Sequence, residues 1–116
     1  MTWDDVLAIG LGLPSMEAST SYGTPALRVR GRLVTRLRTE ADSLVLHSVP
    51  PDDRDMLMEM DPRAFHITPH YVGYPAVLAR LATLDAERLW PFLIRRWQEV
   101  APKRVVARLE TTRFKI

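Results

Sequence analysis

Arginines recur at even-numbered positions within one short stretch of the chain, namely Arg28, Arg30, Arg32, Arg36 and Arg38. Aliphatic residues occupy odd-numbered positions between them, namely Leu27, Val29, Leu33 and Leu37. Because successive side chains of a strand point to opposite faces, this pattern predicts a hairpin whose aliphatic face is buried and whose other face carries five guanidinium groups. Guanidinium groups hold phosphate and carboxylate oxygens in a forked geometry, so the hairpin is a candidate anion-binding surface.

The distribution of charge supports an anionic partner more than the net charge of +2 does. Acids cluster at positions 52–61, whereas bases cluster in the hairpin and again from position 103 onward. Such polarity steers anionic partners toward one surface. We expect the five arginines, helped by Lys103 and Arg104, to contact nucleic-acid phosphates. An alternative is a solvated face whose arginines pair with the protein's own carboxylates.

The segment Thr68–Pro75 is a loop rich in aromatic and turn-forming residues. Tyr71 and Tyr74 could stack on nucleic-acid bases, as aromatic side chains do in proteins that bind single strands. They could equally close one end of the hydrophobic core. The sequence leaves both interpretations open.

No pattern in the sequence indicates catalysis or metal binding. The chain lacks cysteine and has no glycine-rich phosphate loop or nucleophile elbow. His66 and His70 are four residues apart, but Pro69 lies between them and no third ligand follows the motif. The acids at 52–55 suit the start of a helix. We therefore predict a protein that is not an enzyme and needs no metal and no cofactor.

The elements that must position these residues can be predicted from periodicity and from helix-ending residues. Helices are predicted at 2–11, 52–60, about 85–100 and 103–109. The spacing of Leu89, Leu93, Trp97 and Val100 places these four residues on the inner face of the third helix. Strands are predicted at 25–30, 32–38, 44–49, 65–67 and 76–82, with a loop at 15–23. This order predicts a single α+β domain over 1–116, with an antiparallel sheet of about five strands, helices packed on one face, and a basic tail at about 110–116 that frays.

No run of about 18 apolar residues exists, and the N-terminus, with Asp4 and Asp5, does not resemble a secretion signal. With the absence of cysteine, this predicts a cytoplasmic protein without a membrane partner.

Several segments together resemble the MmcQ/YjbR family of small bacterial proteins. They are Leu13-Pro14 with Glu17, Ser21–Ala26 leading into the basic hairpin, Phe65 with Thr68–Tyr71 and Gly73-Tyr74, and Trp97 followed by Ala101–Arg104. This resemblance spans about residues 2–107. It implies a fold similar to the two-layer frataxin-like sandwich, and a DNA-binding role, because family members often carry that label.

The resemblance also implies a polar pocket formed by Glu17, Tyr22, His70 and Lys103, with Tyr71 and Tyr74 beside it. Three functions remain open at this point. The first is a binding module for nucleic-acid phosphates, weak and without sequence preference. The second is a binder of a small molecule or phosphometabolite in the polar pocket, and the third is a module that docks an acidic protein on the arginine face.

Overall fold

The computed structural model describes residues 1–38 and 42–113, and for 110–113 it describes only the backbone. The helices are α1 (Trp3–Gly10), α2 (Pro51–Met60), α3 (Ala86–Val100) and α4 (Lys103–Arg113). The strands are β1 (Met16–Ser21), β2 (Thr24–Val29), β3 (Arg32–Arg38), β4 (Ser43–His47), β5 (Phe65–His66) and β6 (Ala76–Arg80). Single 3-10 turns follow β5 at Pro69–Tyr71 and β6 at Leu81–Thr83.

The strands form one antiparallel sheet in the order β1-β2-β3-β4-β6-β5. The α+β class predicted from the sequence is confirmed. Within the described ranges, no helix is long and apolar enough to cross a membrane. A frayed tail was expected from about residue 110. The backbone of α4 instead continues to Arg113, and residues 114–116 lie outside the described part.

Two tight turns build the first three strands. Tyr22-Gly23 joins β1 to β2, with φ of 51° and 78°, and Arg30-Gly31 joins β2 to β3, with φ of 49° and 81°. Positive φ at both central residues is typical of the type I′ turn, whose twist matches that of the flanking strands. The predicted loop at 15–23 is therefore wrong, because Met16–Ser21 is a sixth strand that pairs with β2.

The main core lies between one face of the sheet and the helices. Leu27 and Val29 are fully buried there, together with Leu89, Leu93 and Trp97 of α3. The indole Nε1 of Trp97 donates a hydrogen bond to the carbonyl of Pro14 at 2.9 Å, so this large side chain is buried with its polar atom satisfied. The buried face of α3 is the one predicted from the sequence.

A β-bulge in β3 changes the pattern of the hairpin. Leu27 pairs with Thr35, but the next residue, Arg28, pairs with Leu33, so Val34 has no partner across the ladder. Beyond the bulge the alternation of faces is shifted by one residue. Val34 and Leu37 pack into the core beneath the helices, whereas Leu33 lies on the opposite face. The predicted inward position of Leu33 is therefore wrong.

Candidate ligand-binding site

The bulge divides the arginines that the sequence placed on a single face. Arg28 pairs with Leu33, and Arg36 pairs with Ala26. These residues lie on the face of the sheet away from the helices, which we call the outer face. Arg38 shares that face, because it lies two residues beyond Arg36. Arg32 pairs with Val29 and so belongs to the helix side, and Arg30 lies in the turn. The predicted face of five guanidinium groups is thus wrong.

Arg36 and Arg38 hold the aromatic loop Thr68–Pro75 against the outer face. Arg36 donates from Nη2 to the Tyr71 hydroxyl at 2.7 Å, and Arg38 donates from Nη1 to the Thr68 hydroxyl at 3.2 Å. The guanidinium of Arg38 also lies 5.6 Å from the centre of the Tyr71 ring. Both arginines therefore have structural partners within the protein, in contrast to freely solvated side chains.

Tyr71 closes a second, smaller core. Its ring is buried against Val45, Ala76 and Leu78 on the outer face of the sheet. This agrees with the interpretation that Tyr71 closes the core, whereas Tyr74 remains 55% exposed. The loop covers only part of the sheet, and a concave space remains beside it.

This space is a cavity of about 290 Å³ on the outer face. Its lining has aromatic walls, an apolar floor, one guanidinium group and two imidazole rings. The lining residues are Tyr22, Leu33, Arg36, His47, His70, Tyr71, Tyr74, Pro75 and Ala76. The cavity therefore joins residues from the first turn, β3, β4, β6 and the aromatic loop.

The aromatic rings of the cavity are arranged at fixed angles. His70 stacks on Tyr74 with ring centres 5.7 Å apart and an angle of 28°, and it meets Tyr71 edge-on at 4.9 Å. The Tyr22 ring, which is 93% exposed, lies beside Arg36, whose guanidinium is 5.5 Å from its centre. Tyr22 therefore forms an outer wall above the charged group, in a turn that favours glycine or asparagine over tyrosine.

His47 is the cavity residue with the most strongly perturbed ionisation. Burial, the charge of Arg96 and then the charge of Arg36 lower the pKa of His47 to about 4. The imidazole is therefore neutral at physiological pH. Ser48, the next residue, has a φ of 63°, and strained positions of this kind are enriched at binding sites.

The structure gathers some of the predicted site residues and leaves others apart. Tyr22, His70, Tyr71 and Tyr74 all line the cavity. Glu17 pairs with Arg28 across β1 and β2, and it does not line the cavity. Lys103 and Arg104 are exposed at the start of α4 and also lie outside it. The structure thus brings the aromatic members of the predicted polar pocket together and leaves Glu17 and Lys103 apart from them.

Sequence reasoning missed Arg36 as a pocket residue, together with Leu33, His47 and the two small residues Pro75 and Ala76. A signal for His47 was present, since Ser43, Val45 and His47 alternate along β4 and so share a face. Nothing in the sequence located Leu33, because its side depends on the bulge.

The histidines and acids do not come together as a metal site in the part of the chain that is described. His66 Nε2 lies 2.9 Å from the Ser43 hydroxyl. Asp53 lies 3.9 Å from Arg95 of α3, with both side chains about half exposed.

Three mycobacterial proteins are similar to the chain along nearly its whole length. They are "Uncharacterized protein Rv2570" and "Uncharacterized protein MT2646" of Mycobacterium tuberculosis, and "Uncharacterized protein Mb2600" of Mycobacterium bovis. Each is 30% identical over 119 aligned positions, which cover 90% of this chain and 92% of the relative. The chain belongs to the family of these mycobacterial proteins.

No protein-family model matches the chain. No solved structure matches it either. The names of the mycobacterial relatives specify no activity.

Proposed function

We propose that the protein binds a small, planar, anionic ligand in the outer-face cavity. The observation that carries this proposal is the position of Arg36, a half-buried guanidinium in a concave site walled by the rings of Tyr22, His70, Tyr71 and Tyr74. Of its five N–H donors, the described hydrogen bond to Tyr71 uses one. Within the described part of the chain, the other donors are available for a carboxylate, sulfonate or phosphate.

The size and lining of the cavity limit the ligand. A volume of about 290 Å³ is at the lower end for small-molecule sites, so a ligand of one ring with one acidic group fits better than a dinucleotide. The aromatic walls favour a flat ring, since offset stacking and edge-to-face contacts stabilise aromatic pairs by about 0.5–1.5 kcal/mol. This proposal refines the small-molecule alternative. The polar groups of the pocket are now Arg36 and His47, and Glu17 and Lys103 are no longer part of it.

The test is a titration of the full chain with benzoate and with benzamide, followed by amide chemical shifts in NMR spectra. The two probes share size and shape, but only benzoate is charged. We expect benzoate to bind with a Kd of about 0.1–1 mM, since its nine heavy atoms can each contribute roughly 0.5 kcal/mol. Shifts should concentrate at the aromatic loop, β3 and β4, and benzamide should bind at least about tenfold more weakly.

Three variants make the test specific to Arg36. Arg36→Gln should weaken benzoate binding by about tenfold or more, because a hydrogen bond to a charged group contributes about 1.5–3 kcal/mol. Arg36→Lys should show an intermediate loss, as it keeps the charge without the fork. Arg28→Gln is the matched control, because Arg28 shares the outer face but bonds to the carbonyls of Gly31 and Thr20 instead. Equal binding of both probes, or equal losses in Arg36→Gln and Arg28→Gln, would refute the proposal.

A second candidate, weak binding of nucleic-acid phosphates, is favoured by the tip of the hairpin. Arg30 and Arg32 are exposed there, and no hydrogen bond or ion pair of either side chain is found among the described residues. The resemblance to MmcQ/YjbR proteins supports the same function. This site is distinct from the cavity, so separate variants test it.

If the tip contacts two or three phosphates, the log–log slope of duplex-DNA affinity against salt should be about −2 to −3. The double variant Arg30→Gln/Arg32→Gln should reduce the magnitude of that slope by about 1–2, and Arg36→Gln should leave it unchanged. A slope that is the same in wild type and the double variant would exclude the hairpin tip as a nucleic-acid site.

A further inference from the structure

His47 lies between two cavities. It lines the outer-face cavity and also a more open one of about 720 Å³ at the end of β4, which includes Ser48, Pro50, Arg95 and Arg96. Its Nε2 atom is buried and has no hydrogen-bond partner among residues 1–38 and 42–113. A buried polar atom without a partner is costly and rare, so its position beside a candidate ligand site calls for an explanation.

Positive charge faces His47 from both sides. Arg36 approaches from β3 through the outer-face cavity, and Arg96 approaches from α3 through the open one. Arg96 is held in place by bonds from Nε to the carbonyl of Leu33 and from Nη1 to the Ser48 hydroxyl, both at 3.0 Å. Burial lowers the pKa of Arg96, and the nearby charge of Arg32 lowers it further. The carboxylate of Glu99 raises it, but the net effect is a lowering.

Other titratable groups near His47 belong to three parts of the fold, of which the turn between β1 and β2 contributes Tyr22. The aromatic loop contributes His70, Tyr71 and Tyr74, and α3 contributes Arg95 and Glu99. Glu99 lies 4.0 Å from Arg96, so its charge is directed to that guanidinium, and its side chain is 56% exposed. No carboxylate of the described residues lines the outer-face cavity itself. Because none of these lining residues is acidic, an anionic ligand would add a negative charge that the lining does not supply.

We propose that His47 takes up a proton when an anion binds beside Arg36, so that ligand binding at this site is coupled to protonation. This inference rests on the proposed function of the cavity. The bound anion would offset the charge of Arg36 and attract the imidazolium. The site would then present two positive groups to the ligand, whereas the empty site holds one guanidinium and a neutral ring.

The size of the coupling follows from linkage between proton and ligand binding. An opposite charge within about 4–6 Å shifts a pKa by about 1–3 units. If the pKa of His47 rises from about 4 in the empty site to about 6 in the complex, affinity increases about tenfold between pH 8 and pH 5. The sign is fixed, because the protonated form binds the anion better and lower pH populates that form.

The test uses benzenesulfonate as the probe, since its sulfonate stays charged over the whole range and adds no titration of its own. Its affinity for the full chain is measured by NMR at pH 8, 7, 6 and 5 with the chloride concentration held constant. Wild type should bind about tenfold more tightly at pH 5 than at pH 8. His47→Gln should lose this dependence on pH, whereas His70→Gln, which removes the other histidine of the cavity, should keep it.

A second measurement does not depend on how the variants fold. The ring resonances of His47 in wild type should titrate with a pKa of about 4 without probe and at least one unit higher with saturating benzenesulfonate. Binding that is independent of pH, a pH dependence that survives in His47→Gln, or an unchanged His47 pKa would each overturn this inference while leaving the proposed function intact. Absence of benzenesulfonate binding at every pH would instead overturn the proposed function, and this inference with it.

Discussion

Arg54 of α2 is expected to fix the aromatic loop that walls the cavity. Its side chain is only 8% exposed, and Nη1 donates to the carbonyls of Val72 and Tyr74, both at 3.3 Å. Its other contact, with Asp55 at 3.5 Å, involves a carboxylate that is 66% exposed. Arg54→Met keeps much of the aliphatic stem and removes the donors, so it isolates the effect of these bonds on the loop.

The cost of this replacement can be worked out from the contacts. Hydrogen bonds from a charged donor contribute about 1.5–3 kcal/mol each when a partner is left unsatisfied. These two are slightly longer than is usual for N–H to oxygen, and they share one nitrogen, so the lower value applies. The exposed pair with Asp55 adds little, and removing a buried charge returns part of its desolvation cost. We expect the free energy of unfolding to fall by about 2–3 kcal/mol.

Urea denaturation monitored by circular dichroism measures this loss, with hydrogen exchange of the Tyr74 and Ala76 amides as a local measure of the loop. Arg95→Met is the matched control, because Arg95 has a 54% exposed side chain and lies 3.9 Å from Asp53. It should change stability by less than about 0.5 kcal/mol. If Arg54→Met is as stable as this control and exchange in the loop is unchanged, Arg54 does not fix the loop.

Three further changes test the fold and the ionisation of the site. Val34→Asp places a charge in the core and should unfold the domain or nearly so, whereas Leu33→Asp lies on the outer face and should cost less than about 1 kcal/mol of stability. Similar melting temperatures for the two variants would contradict the bulge. Trp97→Ala should reduce the free energy of unfolding by about 3–5 kcal/mol in urea denaturation, whereas a loss below about 1 kcal/mol would be incompatible with a fully buried indole. His47 has a folded-state pKa of about 4, below the value of about 6.5 in an unfolded chain, so its contribution to stability is present at pH 7 and is lost as the pH falls from 6.5 toward 4. Wild type should lose about 2 kcal/mol from this source between pH 8 and pH 5, and His47→Gln should show a correspondingly smaller loss in urea titrations at the two pH values.

The local pattern of the sequence was sufficient for much of the fold. Alternation placed Leu27 and Val29 in the core, and the spacing of Leu89, Leu93 and Trp97 identified the buried face of α3. Both patterns arise from the geometry of a single element, since a strand repeats every two residues and a helix every 3.6. The sequence therefore determined the α+β class and most of the helix-facing core without knowledge of distant contacts.

The same local argument was insufficient for β1. Residues 15–23 contain small polar side chains with no strong alternation, so the sequence predicted a loop. The strand forms because its backbone pairs with β2 through the turn at Tyr22-Gly23. The tyrosine-glycine pair was the available signal, since a glycine at the second position suits a two-residue hairpin turn.

Only the tertiary structure decided which arginines share a face and where the cavity lies. In Leu33-Val34-Thr35, two adjacent aliphatic residues and a threonine satisfy either register, so the sequence could not reveal the bulge. Packing against the helices selects Val34 for the core, and this choice moves Leu33 to the outer face and Arg32 away from it. The cavity then combines Tyr22, Arg36, His47 and the aromatic loop, which are distant along the chain. The periodicity of a sequence indicates which residues share a face of one element. A site built from several elements also depends on how those elements pair and pack, which the sequence of any single element does not determine.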